Sequence, residues 1–137
     1  MKPTMFLLSL PLTVGIALGM IGTQVLNAQQ APSVKTTILL KQDMSLPGWE
    51  AVMSLQEFPP GAVEDRHTHP AEAYGFVLEG TISLEIEGMP TATLKAGDVF
   101  HIAPGEIHQV INNGNVPAKS AVVLVAEKGK PLRMQVQ

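Results

Sequence analysis

The sequence predicts an all-β domain, a barrel or sandwich of six to eight short strands. Three observations lead there. Strand-like runs recur at spacings of about 8–12 residues. Turn residues divide them: Pro59-Pro60-Gly61, Glu79-Gly80, Glu87-Gly88, Ala96-Gly97-Asp98, Pro104-Gly105 and Asn113-Gly114 supply the bent or left-handed backbone that tight turns need. No segment beyond residue 28 sustains a helical period.

The N-terminus departs from this pattern. Lys2 gives a short positive start, residues 5–21 are apolar and uncharged, and Leu26-Asn27-Ala28 offers a small residue before a cut. Positive, apolar, small is the order of a secretory signal peptide. The alternative is an uncleaved membrane anchor, since a bilayer span takes about 20 apolar residues. Pro11, Gly15, Gly19 and Gly22 weaken a stable helix there. Cleavage after Ala28 is expected, so the mature protein is expected to be periplasmic or secreted. The expected organisation is a signal peptide over 1–28, a polar linker over 29–35, a barrel over 36–130 and a tail over 131–137.

Each strand follows in order. Residues 36–40 form the first. Residues 49–58 place Ala51, Met53, Leu55 and Glu57 on one face and Val52, Ser54, Gln56 and Phe58 on the other, because strand side chains alternate. Residues 74–78 come third. Residues 81–87 alternate cleanly, with Ile82, Leu84 and Ile86 against Ser83, Glu85 and Glu87. Residues 91–94, 99–102, 109–111 and 120–126 complete the set. The apolar run 120–126 is expected to be buried on both faces, within the barrel wall or against a second chain. A small open sheet also leaves edges that association covers, so a homodimer is expected. No repeat at a scale of 20–50 residues is present, and the length of 137 residues suits a single barrel.

Composition narrows the function. With no cysteine, the chain has no disulfide, no thiolate metal ligand and no lipid-modified cysteine. The net charge of -3 and the lack of a basic patch argue against nucleic acid as a partner. Ser54, Ser83 and Ser120 lack a nucleophile-elbow context, and no Gly-rich phosphate loop occurs.

Four histidines occur: His67, His69, His101 and His108. On a strand, His67 and His69 point to the same face. Their separation of about 6.6 Å along the strand lets both imidazoles converge on one ion at about 2.0–2.1 Å.

The surroundings of that pair carry a family resemblance. Gly61 stands six residues before His67, Pro70 follows His69, and Gly80 closes the block. A second block holds Gly97-Asp98, Pro104-Gly105, His108 and Asn112. This double block resembles the cupin superfamily, and the segments 58–61, 67–70 and 74–80 are most similar to its small single-domain members. The resemblance implies a jelly-roll barrel and a divalent metal ion (Fe, Mn, Zn, Ni or Cu) held by His67, His69 and His108. Two departures stand out. The family's metal-binding Glu falls at position 73, which is Ala73, with Glu72 beside it. Alternation puts Glu72 on the opposite face, so it reaches the ion only through a bulge or from a loop. The second departure is Ala103-Pro104, which shifts the turn by one residue. Loss of the carboxylate leaves the site more positive and favours an anionic or chelating ligand.

The resemblance implies a metal-dependent enzyme akin to dioxygenases acting on aromatic or diketone substrates, with a small molecule bound inside the barrel. The alternatives are a non-catalytic metal or small-ligand binding module and a barrel that only scaffolds an interaction. Tyr74 is a candidate proton donor. His101 is either a group supporting the site or, the preferred reading, a wall or surface residue. Glu106 is a candidate for orienting His108, and Asn112 for forming a turn. Phe76 and Phe100 are expected in the core, Trp49 beside a pocket, and Met53 and Met89 as gap fillers. Arg66 and Lys95 are candidates for steering an anion to the barrel mouth.

Overall fold

The computed structural model describes residues 30–137. The expected signal peptide and its cut after Ala28 lie outside them. Among the described residues, no helix is long and apolar enough to cross a membrane.

Among the described residues, ten strands form two five-stranded antiparallel sheets. They are β1 (Lys35–Asp43), β2 (Trp49–Phe58), β3 (Val63–Thr68), β4 (Ala71–Glu79), β5 (Thr81–Ile86), β6 (Ala92–Lys95), β7 (Val99–Ile102), β8 (His108–Ile111), β9 (Ala118–Glu127) and β10 (Met134–Gln135). One sheet runs β1-β2-β9-β4-β7 and the other β10-β3-β8-β5-β6. This is the all-β jelly roll that the resemblance implies, with ten strands among the described residues where six to eight are expected, because β3 and the two-residue β10 escape the sequence pattern.

The β2–β9 ladder is the regular part, running without a shift from Trp49↔Glu127 to Phe58↔Ala118. Its inner face carries Val52, Phe58, Val122 and Leu124, all buried. Opposite them stand Ile82, Leu84 and Val110 of the second sheet. Burying one such large apolar side chain contributes about 1.5–3 kcal/mol. Run 120–126 differs from the expectation. It is buried on one face only, alternating with half-buried residues along the whole of β9, because only one side of its sheet meets the other sheet.

Two glycines are required by close approach. Phe100 lies opposite Gly75, and a Cβ at Gly75 would stand 1.9 Å from the Phe100 ring. Gly80 has φ of 69°, and a Cβ there would meet the Pro117 carbonyl at 2.5 Å. Phe100 therefore packs against the core as expected. Phe76 does not: it faces outward, 44% exposed, because its register opposite Ala121 and Val99 puts it on the solvent side. Met53 is also on that outer face, and Met89 is exposed in a turn, so neither fills a core gap.

Asn112 stitches the two motif blocks together. It is buried; its Nδ2 donates to the carbonyls of Phe58 (2.9 Å) and Val116 (2.8 Å), and its Oδ1 accepts from the Gly114 amide (3.0 Å). Its backbone pairs with Gly61 and Ala62. The turn-forming role expected of it is what the structure shows.

Candidate metal centre

Two strands and a turn bring three imidazoles together. His67 and His69 come from the end of β3 and the turn after it, and His108 opens β8, directly opposite His67. Their ring centroids lie 4.2–5.0 Å apart. One ligand nitrogen from each lies within 4.8 Å of the others.

Each ring is held by a main-chain carbonyl. Nδ1 of His67 donates to Asp65 O (2.6 Å), that of His69 to Leu132 O (2.6 Å) and that of His108 to Glu106 O (2.9 Å). A carbonyl only accepts, so each Nδ1 carries the proton and each Nε2 keeps its lone pair. Nε2 of His67 and Nε2 of His69 then face each other at 3.2 Å. Nitrogens each about 2.1 Å from a shared ion stand roughly 2.9–3.4 Å apart at octahedral to tetrahedral angles. The donor set fits a divalent ion.

Electrostatics keep these rings neutral. Burial pushes His67 down to about 3, opposed by its bond to Asp65 O and reinforced by His108, Arg133 and His69. His69 and His108 are lowered for the same first reason, again against the bond each makes to a carbonyl. Neutral imidazole is the form that binds metal.

Glu72 takes no part. It lies in the regular stretch of β4, where no bulge turns it inward, and accepts a hydrogen bond from His101 Nε2 at 2.5 Å on the outer face. Ala73 points inward and is fully buried, in the place where the family has its carboxylate. Tyr74 is also outside, 52% exposed with its ring 5.0 Å from that of His101, so it is no proton donor to the triad. His101 is a surface residue, as expected. Glu106 orients His108 through its backbone carbonyl, while its carboxylate accepts from the Ala103 amide at 2.8 Å. Arg66 pairs with Glu87, which offsets its charge.

Sequence reasoning missed the C-terminal segment and Glu64. Strand β10 lies in the stretch read as a tail. It pairs with β3 at Met134↔Thr68 and Gln135↔His67, and this pairing delivers the Leu132 carbonyl to His69. Arg133 enters the same space, with Nη1 3.3 Å from Glu64 and Nη2 donating to Asp65 O at 3.2 Å. A cavity of about 250 Å³ opens beside His69, walled by Ile38, Val52, Val122, Leu124 and Leu132, with Glu64 and Arg133 as its charged groups. Burial raises the Glu64 carboxyl above the usual carboxylate range, against the pull of Arg133. A second recess, about 350 Å³, lies on the other side of His108. There Arg66 pairs with Glu87, and Gln109 donates to Glu85.

Two facing sheets with an inward histidine triad define a small jelly-roll barrel built around a site that can hold a metal ion. The profile of the cupin domain family matches residues 54–125, and the chain belongs to that family. Residues of this chain are 40% identical, over 85 positions, to germin-like protein subfamily 2 member 1 of Arabidopsis thaliana, covering 55% of this chain and 38% of the relative. The chain spans less than half the length of the curated relatives it matches. Among solved structures, the DMSP lyase of Ruegeria pomeroyi superposes with a TM-score of 0.65 at 20% identity, covering 75% of this chain and 51% of that one. An oxalate oxidase in complex with the substrate analogue glycolate superposes at 0.61 with 24% identity, covering 75% and 55%. These two likenesses show the fold.

Proposed function

We propose that the protein is an exported cupin in which His67, His69 and His108 hold one divalent metal ion, and that it acts on a small anionic or chelating molecule as a dioxygenase-like oxidoreductase. The observation that carries the metal is the pair of unprotonated Nε2 atoms, 3.2 Å apart in a buried site. Two lone pairs so placed repel unless a cation lies between them. A divalent ion there supplies Lewis acidity and open positions for a ligand. Fe, Mn, Zn, Ni and Cu all suit imidazole donors.

The chain's own groups do the rest. Three carbonyls fix the rings, the 250 Å³ cavity offers apolar walls to a ligand, and Arg133 offers a cation to an anionic group. The cavity is below the usual drug-sized range, which favours a compact molecule. The likeness to an oxalate oxidase with glycolate bound supports a small carboxylate.

Elemental analysis of purified protein beside His67→Ala tests the metal, and oxygen uptake with small carboxylates, catechols and diketones tests the reaction. Fe or Mn near one per chain, lost in the variant and accompanied by oxygen uptake, is the expected result. A metal-free wild type ends this reading. Metal without oxygen uptake favours the non-catalytic binding module, a reading supported by Ala73 and by the outward position of Tyr74.

Export rests on the composition of residues 1–28, and a mature N-terminus at Gln29 checks it. Homodimerisation through the outer face of the first sheet is supported by the exposure of Tyr74, Phe76 and Val99. Light scattering of the purified protein measures it.

A further inference from the structure

We propose that Glu64 supplies the carboxylate of the metal centre, in place of the one that Ala73 lacks. The inference rests on the reading that His67, His69 and His108 hold a divalent ion.

The route is a change of parity in β3. Glu64 pairs with Val110 and His67 with His108. Three steps on β3 therefore match two on β8, which is a β-bulge. On a regular strand, residues three apart face opposite sides. Here the extra residue turns both inward: Glu64 and His67 are buried, while Asp65 and Arg66 between them are exposed. A carboxylate thus turns inward beside His67 through a bulge, on β3 and not on β4.

Its surroundings leave it short of partners. Glu64 is 7% exposed, and its Oε1 lies 3.9 Å from His67 Nε2. Among the described residues, its carboxylate accepts one hydrogen bond, from Arg133 at 3.3 Å. An ionised carboxylate offers about four acceptor positions, and a buried one costs several kcal/mol unless well compensated. A single long contact to a half-exposed guanidinium compensates poorly. A divalent ion held at His67 Nε2, 3.9 Å from the carboxylate, compensates well. The other acidic groups near the triad are committed elsewhere: Glu72 to His101, Glu106 to the Ala103 amide, Glu85 to Gln109 and Glu87 to Arg66.

Calorimetric titration of the full chain with Mn(II), and the visible spectrum of its Co(II) form, separate this role from a structural one. Glu64→Gln is expected to weaken Mn(II) binding about 10–100-fold and to alter the Co(II) bands. Arg133→Gln breaks the same ion pair but keeps the carboxylate, and is expected to bind Mn(II) at least as tightly as wild type. If Glu64→Gln does not fold, Glu64→Asp, which withdraws the oxygens but keeps the charge, is expected to show the same weakening. Equal losses in the Glu64 and Arg133 variants would mean that Glu64 only anchors Arg133, and would overturn the inference. So would unchanged affinity and spectrum in the Glu64 variant while His67→Ala loses the metal. Wild type that binds no Mn(II) removes the metal centre itself, a failure distinguishable from the other two.

Discussion

The inner face around His67 and the outer face around His101 are built from similar parts. Each gathers an imidazole, a glutamate and a neighbouring ring: Glu64 with His67, His69 and His108 inside, Glu72 with His101 and Tyr74 outside. Inside, every Nδ1 donates to a backbone carbonyl, so the Nε2 atoms stay free and point at one another. Outside, His101 Nε2 is itself the donor, to Glu72 at 2.5 Å. Inside, burial holds the rings neutral; outside, both partners of the pair are well exposed. Residue type does not separate the two groups. What separates them is which nitrogen is occupied and whether water can reach it.

The sharpest way to break this contrast is to remove one imidazole from each face. His67→Ala takes away one imidazole of the proposed metal set and the ring to which both other imidazoles pack. It is expected to lower Mn(II) affinity by at least about 100-fold, since loss of an outer-shell partner alone costs about 10–100-fold. His101→Ala is expected to leave affinity within about twofold. Titration calorimetry on the two variants reads both. Comparable losses would show that the outer cluster shapes the site after all.

Acid sharpens the contrast without mutation. The folded pKa of His67 is about 3, well below the 6.5 of an unperturbed ring. Between those values the unfolded chain binds the proton and the folded chain does not. Stability of the metal-free protein is therefore full above about pH 6.5 and falls as the pH drops towards 3. His67 alone accounts for a loss on the order of 3 kcal/mol by pH 4, and His69 and His108 act in the same direction. Thermal melts of metal-free wild type from pH 7 to pH 4 should show a steep fall in Tm. His67→Ala should show a shallower one. Parallel curves for the two proteins would show that His67 is not the ring that resists protonation.

Removing residues 131–137 tests the support of the inner site. The truncation deletes β10, the Leu132 carbonyl that fixes His69, and Arg133. His69 is then free to rotate or to change tautomer. Metal affinity is expected to fall about 10-fold, the lower end of what loss of an outer-shell partner costs, with far-ultraviolet dichroism still reporting the sheets. Undiminished affinity would mean that the β3 backbone alone orients the ring.

Much of this was legible in the residues. Alternation over 49–58 and 81–87 placed β2 and β5, and the His-x-His spacing with the downstream His108 placed the triad. The rest depends on pairings between distant segments. The bulge that turns Glu64 inward exists only in the register of β3 against β8, more than forty residues away in the chain, and no local pattern records it. A two-residue strand such as β10 has no period to detect, and the carbonyl it lends to His69 belongs to the backbone and carries no side-chain signature. Phe76 misled for a related reason. An aromatic in an apolar run reads as core, but its side is set by pairing with β9 and β7.

The smallest expected effect lies on the outer face. Glu72 sits one residue from the position where the family places its metal-binding carboxylate, so sequence proximity alone would make Glu72→Gln a damaging change. Strand parity predicts otherwise. The inward position at that point is Ala73, fully buried, and Glu72 projects to the opposite face. Its bond to His101 is an exposed side-chain contact, and even a charged pair so exposed contributes only about 0–1 kcal/mol. Glu72→Gln is therefore expected to shift stability by less than about 1 kcal/mol in urea unfolding and to leave the Mn(II) isotherm and the Co(II) spectrum as in wild type. A change in that spectrum would mean that β4 carries an inward turn at Glu72, and the parity that separates the two faces would be lost.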